Sequence, residues 1–165
     1  MPVMDSQSLE FISRSVEQTR RAGIRLGALL TPGDIICLVG ELGTGKTTLV
    51  QGIASGWGSL DPASSPTFVL INVYRRLDKK QLFHLDVYRL NCAAEAEDLD
   101  IDALIEVGPL VVEWADRIPE ALPKDRLWVT LQWIDENQRD LMFTAFGQRH
   151  KTIMLDLRRQ IYGIS

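Results

Sequence analysis

An unbroken apolar run, Ile35-Ile36-Cys37-Leu38-Val39, leads straight into Gly40-Glu41-Leu42-Gly43-Thr44-Gly45-Lys46-Thr47. The run has strand length and no polar alternation, so both of its faces are predicted to be covered. The second stretch fits G-x-x-x-x-G-K-[ST], a loop whose glycines turn the backbone tightly and point N–H groups inward at phosphate oxygens. Thr47–Ile53 then reads as the start of a helix whose N-terminal dipole faces the anion. Glu41, Leu42, Gly43, Thr44, Gly45, Lys46, Thr47 and Thr48 are the candidate nucleotide-binding residues. Lys46 can set a point charge against the β/γ-phosphates, and the Thr47 hydroxyl can ligate Mg2+. Without nucleotide, the Lys46 head is expected to face solvent.

The remaining pattern predicts an α/β fold: a P-loop NTPase-like mixed sheet flanked by helices, with an antiparallel hairpin after the phosphate-loop helix. Leu9–Ser13 reads as a first strand. Ser15 to Gln18 fits a capping box that opens a helix running to about Leu30. Thr31-Pro32-Gly33-Asp34 turns the chain into the apolar strand. Val69–Arg75 and Gln81–Tyr88 form the predicted hairpin. Ala93–Ile105 reads as a short helix, and 109–112, 127–131 and 141–145 as strands. Gln148–Ile161 reads as a closing helix.

At 165 residues, 45% apolar and 24% charged, the chain has the size and composition of one soluble domain, residues 1–165, with a core that needs no staples. No apolar run approaches the roughly 20 residues needed to span a bilayer, and Met1–Glu10 lacks the pattern of a secretory signal. A cytoplasmic protein is expected. Cys37 and Cys92 form no metal or redox motif. A net charge of −4 argues against the chain gripping nucleic acid alone through its phosphates.

Phosphoryl transfer to water also needs an acid that fixes the metal and a group that positions the attacking water. Two carboxylates close apolar strands: Glu113 after Leu110-Val111-Val112, and Asp86 after Leu82-Phe83-His84-Leu85. Spacing does not divide the roles between them. Ser65-Pro66-Thr67-Phe68 lies where a γ-phosphate-sensing threonine often sits, though by physics alone it is only a turn. His84, with apolar neighbours on both sides, reads as a packed strand residue. His150 has no partner at metal-ligand spacing. No Asn-Lys-x-Asp run marks a small GTPase, and no Leu-Ser-Gly-Gly-Gln marks a transporter ATPase. A small-molecule kinase and a nucleotide-sensing module without hydrolysis remain as alternatives.

Four landmarks occur in order: the phosphate loop through Thr48, Ser65-Pro66-Thr67-Phe68, His84-Leu85-Asp86-Val87-Tyr88-Arg89-Leu90, and Val112-Glu113-Trp114. Together they resemble the TsaE family, the small ATPases of bacterial tRNA threonylcarbamoyladenosine synthesis. The resemblance implies ATP and Mg2+ as cofactors, with Thr47 and Glu113 holding the metal. It implies that Asp86 assists hydrolysis, that Thr67 acts as a switch near the γ-phosphate, and that Trp114 helps shape the catalytic and partner-facing edge; Lys46 of the phosphate loop joins them as a candidate catalytic residue. It further implies a complex with the threonylcarbamoyltransferase subunit and its dimerising companion, which would modify adenosine 37, so that tRNA is met only through partners and no membrane is involved. Glu41 and Thr44 stand where the family commonly has aspartate and alanine. The family's glycine is not evident around Leu99–Asp102. The tail beyond Leu131 matches weakly, and 143–165 receives no function.

Overall fold

The run Ile35–Val39 is a strand at the heart of a seven-stranded sheet. A computed structural model describes residues 7–41, 43–64 and 71–163. In chain order the elements are β1 (Ser8–Ser13), α1 (Val16–Gly27), β2 (Ile35–Val39), α2 (Lys46–Trp57), β3 (Ile71–Arg75), β4 (Gln81–Asp86), α3 (Ile101–Val107), β5 (Leu110–Glu113), β6 (Arg126–Trp133), β7 (Arg139–Phe146) and α4 (Gln148–Tyr162). The sheet order is β1-β7-β6-β2-β5-β4-β3. β6, β2, β5 and β4 run parallel; β7 and β1 extend one side antiparallel, and β3 pairs antiparallel with β4 as the predicted hairpin.

Side-chain alternation divides β2 between two cores. Ile36 and Leu38 join Leu26, Leu49, Ile53, Ile153 and Leu157 under α1, α2 and α4. Ile35 and Cys37 join Phe83, Leu85, Val112, Ile101 and Ile118 on the other face. A strand buried on both faces has no room for polar residues, which is why the run is apolar throughout. Burial also pushes the Cys37 thiol up to about 12, so it behaves as a small hydrophobe. No described helix is long and apolar enough to cross a membrane.

Helix α1 begins as expected, with Ser15 Oγ accepting from the Gln18 N–H at 3.1 Å. The return bond differs from the predicted box: Gln18 Oε1 accepts from the Arg14 N–H at 2.8 Å, one residue earlier. The segment expected as one helix over 93–105 is instead a 3-10 turn over Ala93–Leu99 followed by α3. The break falls at Asp100, which adopts a left-handed conformation, φ 48°. The tail belongs to the core: Phe143, Ile153, Met154 and Leu157 are all buried.

At the amino end of β2, the Arg149 guanidinium clasps buried Asp34 through Nε and Nη2, each at 2.9 Å. Beside it, buried His150 accepts the Ile35 N–H on Nε2 at 3.0 Å. That acceptor role requires Nε2 to carry no proton, and burial lowers the His150 pKa from 6.5. The unfolded chain therefore binds this proton more readily. Stability from this site is complete above pH 6.5 and is lost as pH falls through the lower folded value. Thermal melts across that window should show the loss, and His150→Gln, which keeps an acceptor without a titrating ring, should flatten it.

Candidate functional site

The phosphate loop leaves β2 at Gly40 and enters α2 at Lys46, as the motif requires. Gly45 caps α2 at φ 95° and Gly43 turns at φ 81°, both in the left-handed region that glycine tolerates. Among the described residues no side chain makes a capping hydrogen bond at the N-terminus of α2, where an anion is favoured. Thr44 is buried and its hydroxyl donates to the Glu41 carbonyl at 2.8 Å. Glu41 and Thr47 are exposed and Thr48 is half-buried. Leu42, and the Ser65-Pro66-Thr67-Phe68 segment with its expected sensor Thr67, lie outside the described residues.

Strand register brings the two candidate acids together. Asp86 pairs with Glu113 across β4 and β5, and Glu113 pairs with Leu38 across β5 and β2. Alternation along β4 and β5 turns His84, Asp86 and Glu113 toward the α2 face, with Leu82 and Val111. Glu113 is only 3% exposed. Its Oε2 lies 2.6 Å from His84 Nε2. Asp86 Oδ1 accepts from the Tyr88 N–H at 2.9 Å. Burial first, with the nearby Glu113 charge adding to it, raises the Asp86 pKa above the usual carboxylate value.

Lys46 departs from expectation. Its head is turned inward: the residue is 6% exposed, and Nζ donates to the carbonyl oxygens of Gly40 and, at 3.0 Å, Glu41. The ammonium also sits 4.1 Å from the centre of the Trp114 ring. Trp114 reaches that position because the chain leaves β5 in a left-handed conformation, φ 62°, which is strained for an aromatic residue. Tyr88 packs on the same indole with ring centres 4.8 Å apart, and Arg117 covers Tyr88 at 4.9 Å. Burial lowers the Lys46 pKa despite the opposing pull of Glu113 and Asp86.

These donors fit magnesium. The candidate set is oxygen-only (the Thr47 hydroxyl and the Glu113 carboxylate, with Asp86 in register beside it), and no described group of three or more His, Cys, Asp or Glu residues forms a protein cage. Mg2+ is bound in this way, through one or two carboxylates with substrate phosphates and water completing its shell.

The sequence model described as "Threonylcarbamoyl adenosine biosynthesis protein TsaE" matches residues 13–141. The chain belongs to the TsaE family. The Bacillus subtilis protein named tRNA threonylcarbamoyladenosine biosynthesis protein TsaE is 36% identical over 154 residues, 93% of this chain and 96% of that one. The Streptomyces coelicolor protein of the same name is 41% identical over 136 residues, covering 81% and 88%. The crystal structure of Bacillus subtilis YdiB superposes with a TM-score of 0.77 at 32% identity, over 94% of this chain and 97% of that one. The TsaE match spans the phosphate loop and both strand-end acids.

Two residues at this TsaE site escaped the sequence reading: His84, taken as packing, and Tyr74, whose hydroxyl lies 2.8 Å from His84 Nδ1. The signal for the first was present. His84 and Asp86 are two apart on one strand, so they share a face, although the carboxylate that meets the ring is Glu113 of the neighbouring strand.

Proposed function

We propose that this protein binds ATP with Mg2+ and hydrolyses it as the ATPase of the tRNA threonylcarbamoyladenosine machinery. It would work in the cytoplasm in complex with the threonylcarbamoyltransferase and its dimerising companion, meeting tRNA only through them. The reading is carried by the in-register pair Asp86 and Glu113 beside the phosphate loop. Family membership supplies the pathway, and the net charge of −4 suits a component that does not grip RNA itself.

In this reading the loop amides and the N-terminus of α2 take the phosphates, while Thr47 and Glu113 hold the metal. Bound magnesium would neutralise charge developing on the transferred phosphoryl group. Asp86, its carboxylate fixed by the Tyr88 amide, orients the attacking water and accepts its proton. Lys46 must exchange two carbonyls and the Trp114 face for phosphate oxygens, so the free protein rests with its main cation turned away from substrate. That resting position suits slow turnover alone and faster turnover in a complex. Phosphate release by the purified protein, with and without the two partners, tests this. Stimulation is expected, up to the order of 10³-fold if a partner supplies an arginine; rapid release alone, unchanged by partners, would overturn it.

Lys46→Ala should lower triphosphate affinity on the order of 10²-fold, as loss of a buried charge partner does, and should abolish turnover. The fold should survive, though not because the lysine is solvated. What the ammonium gains from Gly40, Glu41 and Trp114 is offset by the cost of burying it, as its lowered pKa records. The melting temperature should move by no more than about 4 °C, the equivalent of roughly 1 kcal/mol. Calorimetry with Mg-ATP and a thermal melt read the two effects separately.

A further inference from the structure

We propose that His84 and Tyr74 are positioning residues, a buried relay that fixes the Glu113 carboxylate and ties it to the backbone of Ser64. The inference rests on the reading of Glu113 as the metal-facing acid and adds to it the residues through which that acid is held. His84 is fully buried and Tyr74 nearly so. His84 Nε2 meets Glu113 Oε2 at 2.6 Å, and His84 Nδ1 meets the Tyr74 hydroxyl at 2.8 Å. The Tyr74 oxygen accepts from the Ser64 N–H at 3.2 Å and lies 3.1 Å from the Ser64 carbonyl. That carbonyl already accepts from Asn72 Nδ2 at 2.8 Å.

The donors and acceptors fit together in one direction. An ionised carboxylate only accepts, so the ring hydrogen sits on Nε2 and points at Glu113. Nδ1 then needs a hydrogen, and the Tyr74 hydroxyl gives its single one there, at 2.8 Å against 3.1 Å to the Ser64 carbonyl, which has Asn72 as a donor in any case. Every bond from the Ser64 amide to Tyr74, to His84 and to Glu113 therefore runs toward the acid. Bonds aligned this way in a dry interior polarise one another. Packing alone does not call for such a chain. The flanking positions on the same face, Leu82 and Val111, are apolar, and apolar residues at 74 and 84 would fill the space without burying polar atoms. The relay is accounted for by what it does to Glu113: it occupies one oxygen and fixes the plane of the carboxylate. Outer partners of this kind typically change metal affinity 10–100-fold. It also joins that carboxylate to the residue immediately before the Ser65–Phe68 segment.

Four proteins test the proposal: wild type, His84→Leu, His84→Gln and Tyr74→Phe. Glutamine can place an N–H where Nε2 stands; leucine cannot. Calorimetry of ATP binding across a magnesium series should show the apparent magnesium dissociation constant rising about 10–100-fold in His84→Leu and a few-fold in Tyr74→Phe, with His84→Gln within about threefold of wild type. Affinity for ATP in EDTA should be unchanged in all four. Long-range 15N–1H spectra of the free protein should show His84 protonated at Nε2, with its Nδ1 resonance displaced in Tyr74→Phe. Unchanged magnesium dependence in His84→Leu, a glutamine variant as impaired as the leucine one, or a ring protonated at Nδ1 alone would each overturn it. If His84→Leu does not fold, Tyr74→Phe, which keeps the core filled, carries the binding test. Wild-type protein without magnesium-dependent nucleotide binding would sink the reading of Glu113, while the spectra would still decide whether the relay exists.

Discussion

Glu113→Gln should cut phosphate release by on the order of 10²–10³, the loss that follows removal of a group stabilising charge at a reacting centre. The substitution keeps shape and replaces a charge with an amide. Its carbonyl oxygen can still accept from His84 Nε2, now at 2.6 Å from the carboxylate, so the strand end and the relay can persist. What goes is the anionic donor proposed for magnesium and the negative neighbour of Asp86, which adds to the rise in that residue's pKa. The variant should melt within a few degrees of wild type and still bind nucleotide, with weaker dependence on magnesium. It also separates hydrolysis from sensing. If the family's tRNA modification persists in cells carrying the variant, and partner binding still follows nucleotide, turnover is dispensable and the protein is a nucleotide sensor. If modification fails while nucleotide binding survives, turnover is required.

How well each feature could be read from the chain follows from how local its cause is. β2 came out with its bounds intact because a doubly buried strand must be apolar along its whole length. Ser15 announced α1 because an N-cap is decided by contacts within four residues. The phosphate loop is likewise a local device. Asp86 and Glu113 were recognisable as strand-end acids, but their pairing depends on β4 lying next to β5, a long-range choice that neither strand encodes alone. Tyr74 was invisible for the same reason: its partner is ten residues away across the hairpin. The inward turn of Lys46 depends on Trp114 arriving from the far end of another strand. Asp100 broke an expected helix because a left-handed residue there costs little in sequence signal and ends the α-pattern at once. α4 was legible as a closing helix, but not what it packs on, because its apolar face meets a sheet surface completed only when β7 and β1 are in place.

The largest loss of stability should come from a single methyl group, in Gly56→Ala. Gly23 and Gly27 of α1 face Gly52 and Gly56 of α2, each pair spaced by four residues and so on one helix face. A Cβ on Gly56 would be driven into the carbonyl oxygen of Ile24, and one on Gly27 into that of Ile53. Both obstacles are helix backbone, which cannot swing aside as a side chain can. Alanine gains about 1 kcal/mol of helix propensity over glycine; overpacking costs about 1–3 kcal/mol and more where the neighbour is fixed. The steric term wins, and a net loss of roughly 2 kcal/mol or more should lower the melting temperature by about 4–8 °C. Ser55→Ala, on the exposed side of the same helix, should be neutral or slightly stabilising and serves as the control. The effect should also reach the site, since α2 begins at Lys46 and carries Thr47. Helices forced apart by about 1 Å would shift both relative to Glu113 on the sheet, a displacement of the size that costs about 10²-fold in rate. A Gly56→Ala protein that melts and turns over like wild type would mean that α1 and α2 do not approach backbone to backbone, and that the phosphate loop is placed by something other than this contact.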